Sequence, residues 1–399
     1  MPSSATGLCW PEWRFGSGGR RQSVEYGSRV RILHTIEGLH PDRGGPPQVA
    51  AALARCQRAA GHEVAFASHD ARSAAVGEWL VTQELSDVRC SEVAPCGPFG
   101  DAAFSAAMVH GPRPDAMHLH GVWNGLLPQA ARWAKDHGVP YVLTTHGSLH
   151  PFSMARGRWK KRLAIAITHG SMLRGARRVF TLNDEERVAA AAIVGTAAET
   201  MPNGVDSCHG PCLPAVEGRP YLVFLGRIDW TKGLEALVEA HRHVLDLGFD
   251  CDLLIIGNDW GSLPSVEAAI AVARTGDRVR LVGAKYGEEK RRLLAGARLL
   301  VHLPRYEGFG MAVLEALAAG TPAVIGDRCL LPGAGPAMGV VVSGSQPEVF
   351  AAAIVDILRD PDRREALAAA GLRAVADRFR WDSIAARCVA ALAGARSIQ

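Results

Sequence analysis

The chain has 399 residues, of which 48% are hydrophobic and 21% charged, with a formal net charge of +4 at pH 7. This composition fits a globular protein of two ordinary domains and excludes a disordered or fibrous chain. So mild a charge argues against nucleic acid as the main partner, and the absence of any run of about 18 apolar residues excludes a spanning helix.

Residues 1–28 lack the apolar middle of a signal peptide and carry no periodicity, so they read as a loose extension or as a start assigned upstream of Arg29. From there, short β-rich apolar runs alternate with helical patterns. The first half predicts strands over Val30–Thr35, Glu63–Ala67, Ala116–Leu119, Tyr141–Thr145 and Arg178–Leu182, with helices such as Pro47–Ala60 and Pro128–Asp136. The stretch Arg156 to Arg162 sets five cations beside Phe152 and Trp159, ahead of an apolar helix expected from about Leu163 to Leu173. Such a patch suits an anionic membrane surface, although a solvated helix start has the same appearance.

Periodicity breaks at Met201 to Arg219, where prolines and glycines mark a linker. Beyond it, strands are predicted over Tyr221–Leu225, Cys251–Ile256, Arg278–Val282, Leu299–Leu303 and Ala323–Ile325, with helices starting near Gly233, Ser265, Glu288 and Met311. Helical patterns Pro347–Leu358, Pro361–Ala376 and Trp381–Leu392 end the chain. The expected architecture is therefore α/β: two doubly wound parallel-sheet domains, 29–200 and 220–380, joined by a linker at 201–219 and followed by a helix at 381–399 that returns to the first domain. Nine cysteines are scattered. Neither Cys90 with Cys96 nor Cys208 with Cys212 near His209 has a second pair at zinc-site spacing, so free thiols in a reducing cytosol are expected.

Ligands of open α/β sheets bind at the carboxyl ends of the strands, so two such domains define a cleft. Glu307 and Glu315 stand with seven residues between them in EGFGMAVLE, and Glu315 is the only ionisable residue from Gly308 to Gly326. The helical pattern from Ala312, with Gly320 as its stop, puts Glu315 on the Met311 and Ala319 side, away from Val313 and Leu317. Gly308 and Gly310 let the entering chain approach a ligand closely, and the helix N–H groups would point at it. Arg227 and Lys232 lie at another strand end that opens a helix, where two cations suit a diphosphate, although cations at a helix start are also commonly solvated. Gly44 and Gly45 precede the first helix and fit either a phosphate contact or a plain turn. His120 and His146 follow strands on the same edge, where each is as readily structural. The dinucleotide fingerprint is absent: Gly333 to Gly339 has an inserted residue and a proline where the helix would open.

These residues resemble family 4 of the retaining nucleotide-sugar glycosyltransferases, whose GT-B fold sets two Rossmann-like domains face to face. The resemblance runs from about Val30 to Trp381. It is carried by Glu307 and Glu315 with Gly308, Phe309 and Gly310, by Gly226-Arg227 and Lys232-Gly233, and by Gly44-Gly45, His120-Gly121-Val122-Trp123, His146-Gly147, Pro202 to Asp206, Gly283 and Gly287 to Lys290. It implies that Arg227 and Lys232 bind the donor diphosphate and that Glu315 bonds the ribose hydroxyls. It further implies that Glu307 meets the donor sugar, that Phe309 and Gly310 offer backbone N–H groups, and that His146 lies near the sugar. Gly308, Gly44, Gly45, His120 and Gly283 are the remaining candidates for substrate contact. Neither cofactor nor metal is expected, because the two cations replace a metal's charge. The style of Gly38 to Pro47, HGVW and HGSLHPFSM is similar to bacterial enzymes that build exopolysaccharide or O-antigen units on a polyprenyl diphosphate. That implies a lipid-linked or soluble glycan acceptor and a cytoplasmic protein resting through Arg156 to Arg162 on the inner face of the plasma membrane. Two departures stand out: Arg305-Tyr306 precede Glu307 where the family often has a Ser, and Arg328 to Val342 lacks an acidic residue frequent there. A catalytically silent module of the same fold and a nucleotide-sugar epimerase are the rival readings.

Overall fold

The computed structural model describes residues 29–109, 111–206 and 218–393. The extension at 1–28, the linker segment 207–217 with Cys208, His209 and Cys212, and the tail 394–399 lie outside the described residues.

Strand and helix alternate to give two parallel sheets. The first contains β1 (Arg31–Ile36), β2 (Glu63–Ser68), β3 (Arg89–Glu92), β4 (Ala116–His120), β5 (Tyr141–Thr144), β6 (Val179–Thr181) and β7 (Ala198–Thr200), in the order β3-β2-β1-β4-β5-β6-β7. The second contains β8 (Tyr221–Leu225), β9 (Asp252–Ile256), β10 (Val279–Gly283), β11 (Leu299–His302), β12 (Ala323–Gly326) and β13 (Val340–Ser343), in the order β10-β9-β8-β11-β12-β13. Strands covered on both faces must be apolar on both faces, and Leu222, Val223 and Phe224 of β8 are accordingly all buried. Three strands had no counterpart in the sequence reading: β3, β7 and β13. Each is a sheet edge and each is partly exposed along its length, so it lacks the continuous apolar run that marks an inner strand.

Strand order reverses between β1 and β4 in one sheet and between β8 and β11 in the other. The loops leaving the carboxyl ends of these strand pairs diverge there and leave a crevice in each sheet. Gly44 follows β1, His120 ends β4, Arg227 follows β8 and Glu307 follows β11, so four candidate residues come to the two switch points by topology alone.

The chain crosses between the sheets twice, and the crossings support each other. Val205 N–H donates to the Phe379 carbonyl at 2.8 Å. The Trp381 indole lies against Gly204, where a Cβ would come within 2.6 Å of the ring. The helix Trp381–Ala393 then packs on the helix Gly45–Ala59. Ile384, Cys388 and Leu392 thereby join Ile32, Val49 and Phe180 in one core of the first sheet.

One helix boundary differs from expectation. The segment expected to begin near Leu163 starts at Arg158, runs to Ala164, passes through a π turn at Ile165–His169 and continues over Gly170–Gly175. Arg158, Lys160, Lys161 and Arg162 are therefore inside the helix and not ahead of it. Arg and Lys are good helix formers, so the apolar pattern alone placed the start too late. The widened turn carries His169 inward, where its Nε2 lies 3.2 Å from the Asn124 carbonyl.

Trp381 is 7% exposed and holds the second crossing. Its replacement by Ala should lower unfolding free energy by about 3–5 kcal/mol in urea denaturation, as for other buried aromatic truncations. A loss below about 1 kcal/mol would show that the returning helix is held elsewhere.

Candidate functional site

The loops after β8 and β11 are in contact. Gly233 sits at φ +62°, and a Cβ there would collide with the Leu303 carbonyl. Only glycine fits that combination of backbone and space. Backbone N–H groups of Arg305 and Tyr306 both donate to the Thr231 carbonyl, at 2.8 and 3.2 Å. Asp229 caps the short turn Trp230–Lys232 by accepting from Thr231 N–H at 2.7 Å.

This contact brings Lys232 Nζ to 2.5 Å from Glu307 Oε2, in surroundings that leave the two side chains 13% and 20% exposed. Glu307 is held on its other side by β12's exit loop: its N–H donates to Arg328 O at 3.0 Å, and its carbonyl accepts from Leu330 N–H at 2.9 Å. His302, buried at the end of β11, places Nε2 at 3.3 Å from the same carboxylate oxygen. Burial alone would push the Glu307 carboxyl up. The adjoining Lys232 and His302 outweigh it and hold the group well below the usual carboxylate range, so Glu307 is an anion at neutral pH. Arg227 lies 3.4 Å from Asp229 and stacks over Trp260 with 4.7 Å between guanidinium carbon and ring centre.

Gly310 caps the helix Met311–Ala318 at φ +87°, with Cys329 Sγ 3.0 Å from where a Cβ would be. One turn on, Glu315 is partly exposed while Val313 and Leu317 are buried. Its carboxylate meets Lys290 Nζ at 2.7 Å, which gives that lysine a partner the sequence did not reveal. The Phe309 ring is buried against Phe379 at 6.5 Å, so only its backbone is available to a ligand. The Gly308 carbonyl accepts from Asn183 Nδ2 of the first domain at 2.7 Å. Asn183 is fixed in turn by accepting from Glu186 N–H, and the buried Glu186 carboxylate accepts the N–H groups of Leu149 and Leu182.

Across the cleft, Gly44 caps the helix that Gly45 opens, and a Cβ at Gly44 would stand 4.0 Å from Arg227 Nη1. His146 follows β5 at φ +51°, a left-handed conformation uncommon for a residue with a side chain. His120 is not a contact residue. It is 2% exposed, and its two ring nitrogens face His34 at 2.9 Å and His146 at 3.1 Å. Gly283 ends the edge strand β10, separated from β8 by β9, and its carbonyl accepts from Gly257 N–H at 3.0 Å.

Sequence reasoning missed His302, Asn183 and the aromatic bridge between domains. Tyr306, noted only as a departure, stacks on Phe152 at 4.2 Å and lies 4.8 Å from His150. Arg156 then spans from Phe152 to Trp230 of the second domain, at 5.6 and 5.2 Å. Two groups have metal-compatible spacing among the described residues: His34 with His118 and His120, and Glu239 with His243 and Glu348. Neither includes a residue of the Lys232–Glu307 pair. A further pocket, lined by Arg29, Arg31, Arg58 and Arg89, sits at the opposite, amino-terminal ends of the strands.

Two cations, two helix N-termini and an ionised carboxylate thus stand at the carboxyl edges of the two sheets. The arrangement can hold a diphosphate and stabilise charge that develops on it.

The chain is similar to known proteins over most of its length. The family model described as Glycosyl transferase 4-like domain matches residues 44–204, and the one described as Glycosyl transferases group 1 matches 213–373. The GDP-mannose:cellobiosyl-diphosphopolyprenol alpha-mannosyltransferase of Xanthomonas campestris is 28% identical over 313 residues, covering 75% of this chain and 79% of that one. The phosphatidyl-myo-inositol mannosyltransferase of Mycobacterium leprae is 28% identical over 290 residues, covering 68% and 71%. Among solved structures, Anabaena HepE in complex with UDP superposes with a TM-score of 0.73 at 16% identity, covering 92% of this chain and all of that one. With both domains matched in sequence and both sheets matched in space, the chain belongs to the GT4-type glycosyltransferases and has their GT-B fold.

Proposed function

We propose that the protein is a retaining glycosyltransferase that moves a sugar from a nucleotide-diphosphate sugar to a saccharide carried on a polyprenyl diphosphate. The observation that carries this reading is the meeting of Arg227, Lys232 and Glu307 at the switch points, opposite Gly44 and the first helix. Arg227 and Lys232 neutralise the departing diphosphate, with the N–H groups at Gly310 and Gly45 beside them. They do so in place of a divalent cation. Glu315, oriented by Lys290, bonds the ribose hydroxyls. Glu307 is an anion, so it gives no proton; it bonds the sugar's hydroxyls and opposes positive charge gathering at the anomeric carbon. The bond from that carbon to the phosphate oxygen breaks as the acceptor oxygen bonds on the same face, and the departing phosphate oxygen takes the acceptor's proton.

The acceptor side of the reading rests on the first domain. A pocket of about 270 Å³ is lined by Trp123, Asn124, Lys160, Lys161, Ala164 and His169. Beside it Trp159, Leu163 and Ile167 are 68%, 51% and 57% exposed, four residues apart along one helical stripe. Cations at Arg158, Lys160 and Arg162 flank that stripe. An apolar stripe edged by cations suits the interface of an anionic bilayer, where a polyprenyl carrier presents its headgroup. Among the described residues no helix is long and apolar enough to cross a membrane. The polyprenol-linked acceptor in the name of the Xanthomonas relative supports the same acceptor class, and GDP-mannose in that name makes it the first donor to try.

Labelled donor incubated with polyprenyl-diphosphate saccharides should deliver label to the lipid fraction with its anomeric configuration kept, and Lys232→Ala should cut kcat about a hundredfold. Lipid-bound label at near wild-type rate in that variant would remove the charge argument; neither transfer nor donor hydrolysis would favour a silent module. Sedimentation with vesicles checks the membrane face. Binding should rise with anionic lipid and weaken in Trp159→Ala, whereas equal binding to neutral and anionic vesicles would contradict it.

A further inference from the structure

The first domain contains a line of side chains that the proposed transfer does not explain. Gln57 Oε1, on the helix Gly45–Ala59, lies 2.7 Å from His34 Nε2. His34 Nδ1 is 2.9 Å from His120 Nε2, and His120 Nδ1 is 3.1 Å from His146 Nε2. Gln57, His34 and His120 are buried, while His146 is partly exposed at the cleft end. We infer that Gln57 sets the tautomer of His146 through His34 and His120, leaving His146 Nδ1 as a bare hydrogen-bond acceptor in the cleft.

A neutral imidazole has one donor nitrogen and one acceptor. The amide oxygen of Gln57 can only accept, so His34 carries its proton on Nε2 and presents a bare Nδ1. His120 must then donate from Nε2, and its own Nδ1 is bare. His146 donates from Nε2 in turn, and the one ring nitrogen left over is its Nδ1. A reversed Gln57 amide would run every proton the other way and close the last nitrogen with a proton.

The rule holds only while the row is neutral, and its surroundings keep it so. Burial lowers His34 to about 4 and His118 and His120 well below the ordinary histidine value, with repulsion among neighbouring rings adding to it for the last two. The groups facing the row are His118, which bonds Thr144 at 2.7 Å and stacks on His120 at 4.1 Å, and the Phe66 ring, 5.6 Å from His34; Phe180 in turn packs edge-on against His118. No carboxylate is among them. Gln57, His34 and His120 are thus positioning residues. Their effect on catalysis rests on the reading that His146 borders the donor sugar, where a bare nitrogen accepts a sugar hydroxyl.

Gln57→Glu tests the coupling, because a carboxylate favours one added proton on the row. That proton enters at His146 Nδ1. His146 passes its Nε2 proton to His120, and His120 passes its own to His34, which ends as an imidazolium beside Glu. Two-bond ¹⁵N spectra of the whole labelled protein should show Nε2–H on His34, His120 and His146 in the wild type at pH 8 and at pH 5.5. In Gln57→Glu, His120 and His146 should switch to Nδ1–H between those values, and kcat should fall at least about tenfold more than in the wild type with donor KM little changed. A wild-type spectrum with Nδ1–H on any of the three overturns the inference even if the variant fails to fold. So does a His146 in the variant that ignores pH, or stoichiometric zinc retained on His34, His118 and His120. Switched tautomers with an unchanged kcat would uphold the relay and place the fault in the assignment of His146 to the donor site.

Discussion

The ion pair between Lys232 and Glu307 is the constraint around which the cleft is arranged. A buried pair of this kind contributes little to stability over a well-packed apolar alternative, because removing both ions from water offsets most of their attraction. The pair forms because Gly233 lets the loop after β8 pass against the Leu303 carbonyl and because Thr231 accepts two N–H groups from the loop after β11. Once the loops are joined in this way, a fixed cation and a fixed anion share one small space. The donor's leaving group would need the first and its sugar would need the second.

The rest of the second domain supplies matched supports. Each charged group that would touch donor has a partner of opposite sign: Arg227 has Asp229, Lys232 has Glu307, and Glu315 has Lys290. Preorganised groups of this sort lose little freedom when a ligand arrives, which makes electrostatic stabilisation effective in a site closed to water. The first domain contacts this side of the second directly. Asn183 grips the Gly308 carbonyl, Phe152 stacks on Tyr306, and Arg156 spans to Trp230. The segment that bears the exposed apolar stripe thus also touches the second domain, so the bilayer docking proposed above would involve residues neighbouring those that join the two domains.

Much of this was legible in the chain itself. Strand and helix alternation predicted two parallel sheets, and the spacing of Glu307 and Glu315 across a glycine-rich helix start placed one carboxylate at a helix mouth on the carboxyl edge of the second. The partly exposed Glu315 between buried Val313 and Leu317 follows the helical period the sequence displays. What stayed hidden depends on residues far apart in sequence or on elements with weak patterns. The edge strands β3, β7 and β13 are half-wet and short. Gln57, His34, His120 and His146 meet because β4 pairs with both β1 and β5, although bonded neighbours in the row stand as much as 86 residues apart in sequence. A histidine at a strand end carries no mark of whether it meets substrate or another ring, and His120, first grouped with the substrate contacts, proves to be a link in the buried row.

Calorimetric titration with one nucleoside as its monophosphate and its diphosphate bears most directly on the central claim, that fixed positive charge at Arg227 and Lys232 receives a pyrophosphoryl group. Charged hydrogen bonds of about 1.5–3 kcal/mol to the second phosphate should make the diphosphate bind at least about tenfold tighter, with the preference shrinking in Arg227→Ala. Equal affinities for the two nucleotides in the wild type, or an undiminished preference in the variant, would contradict the account.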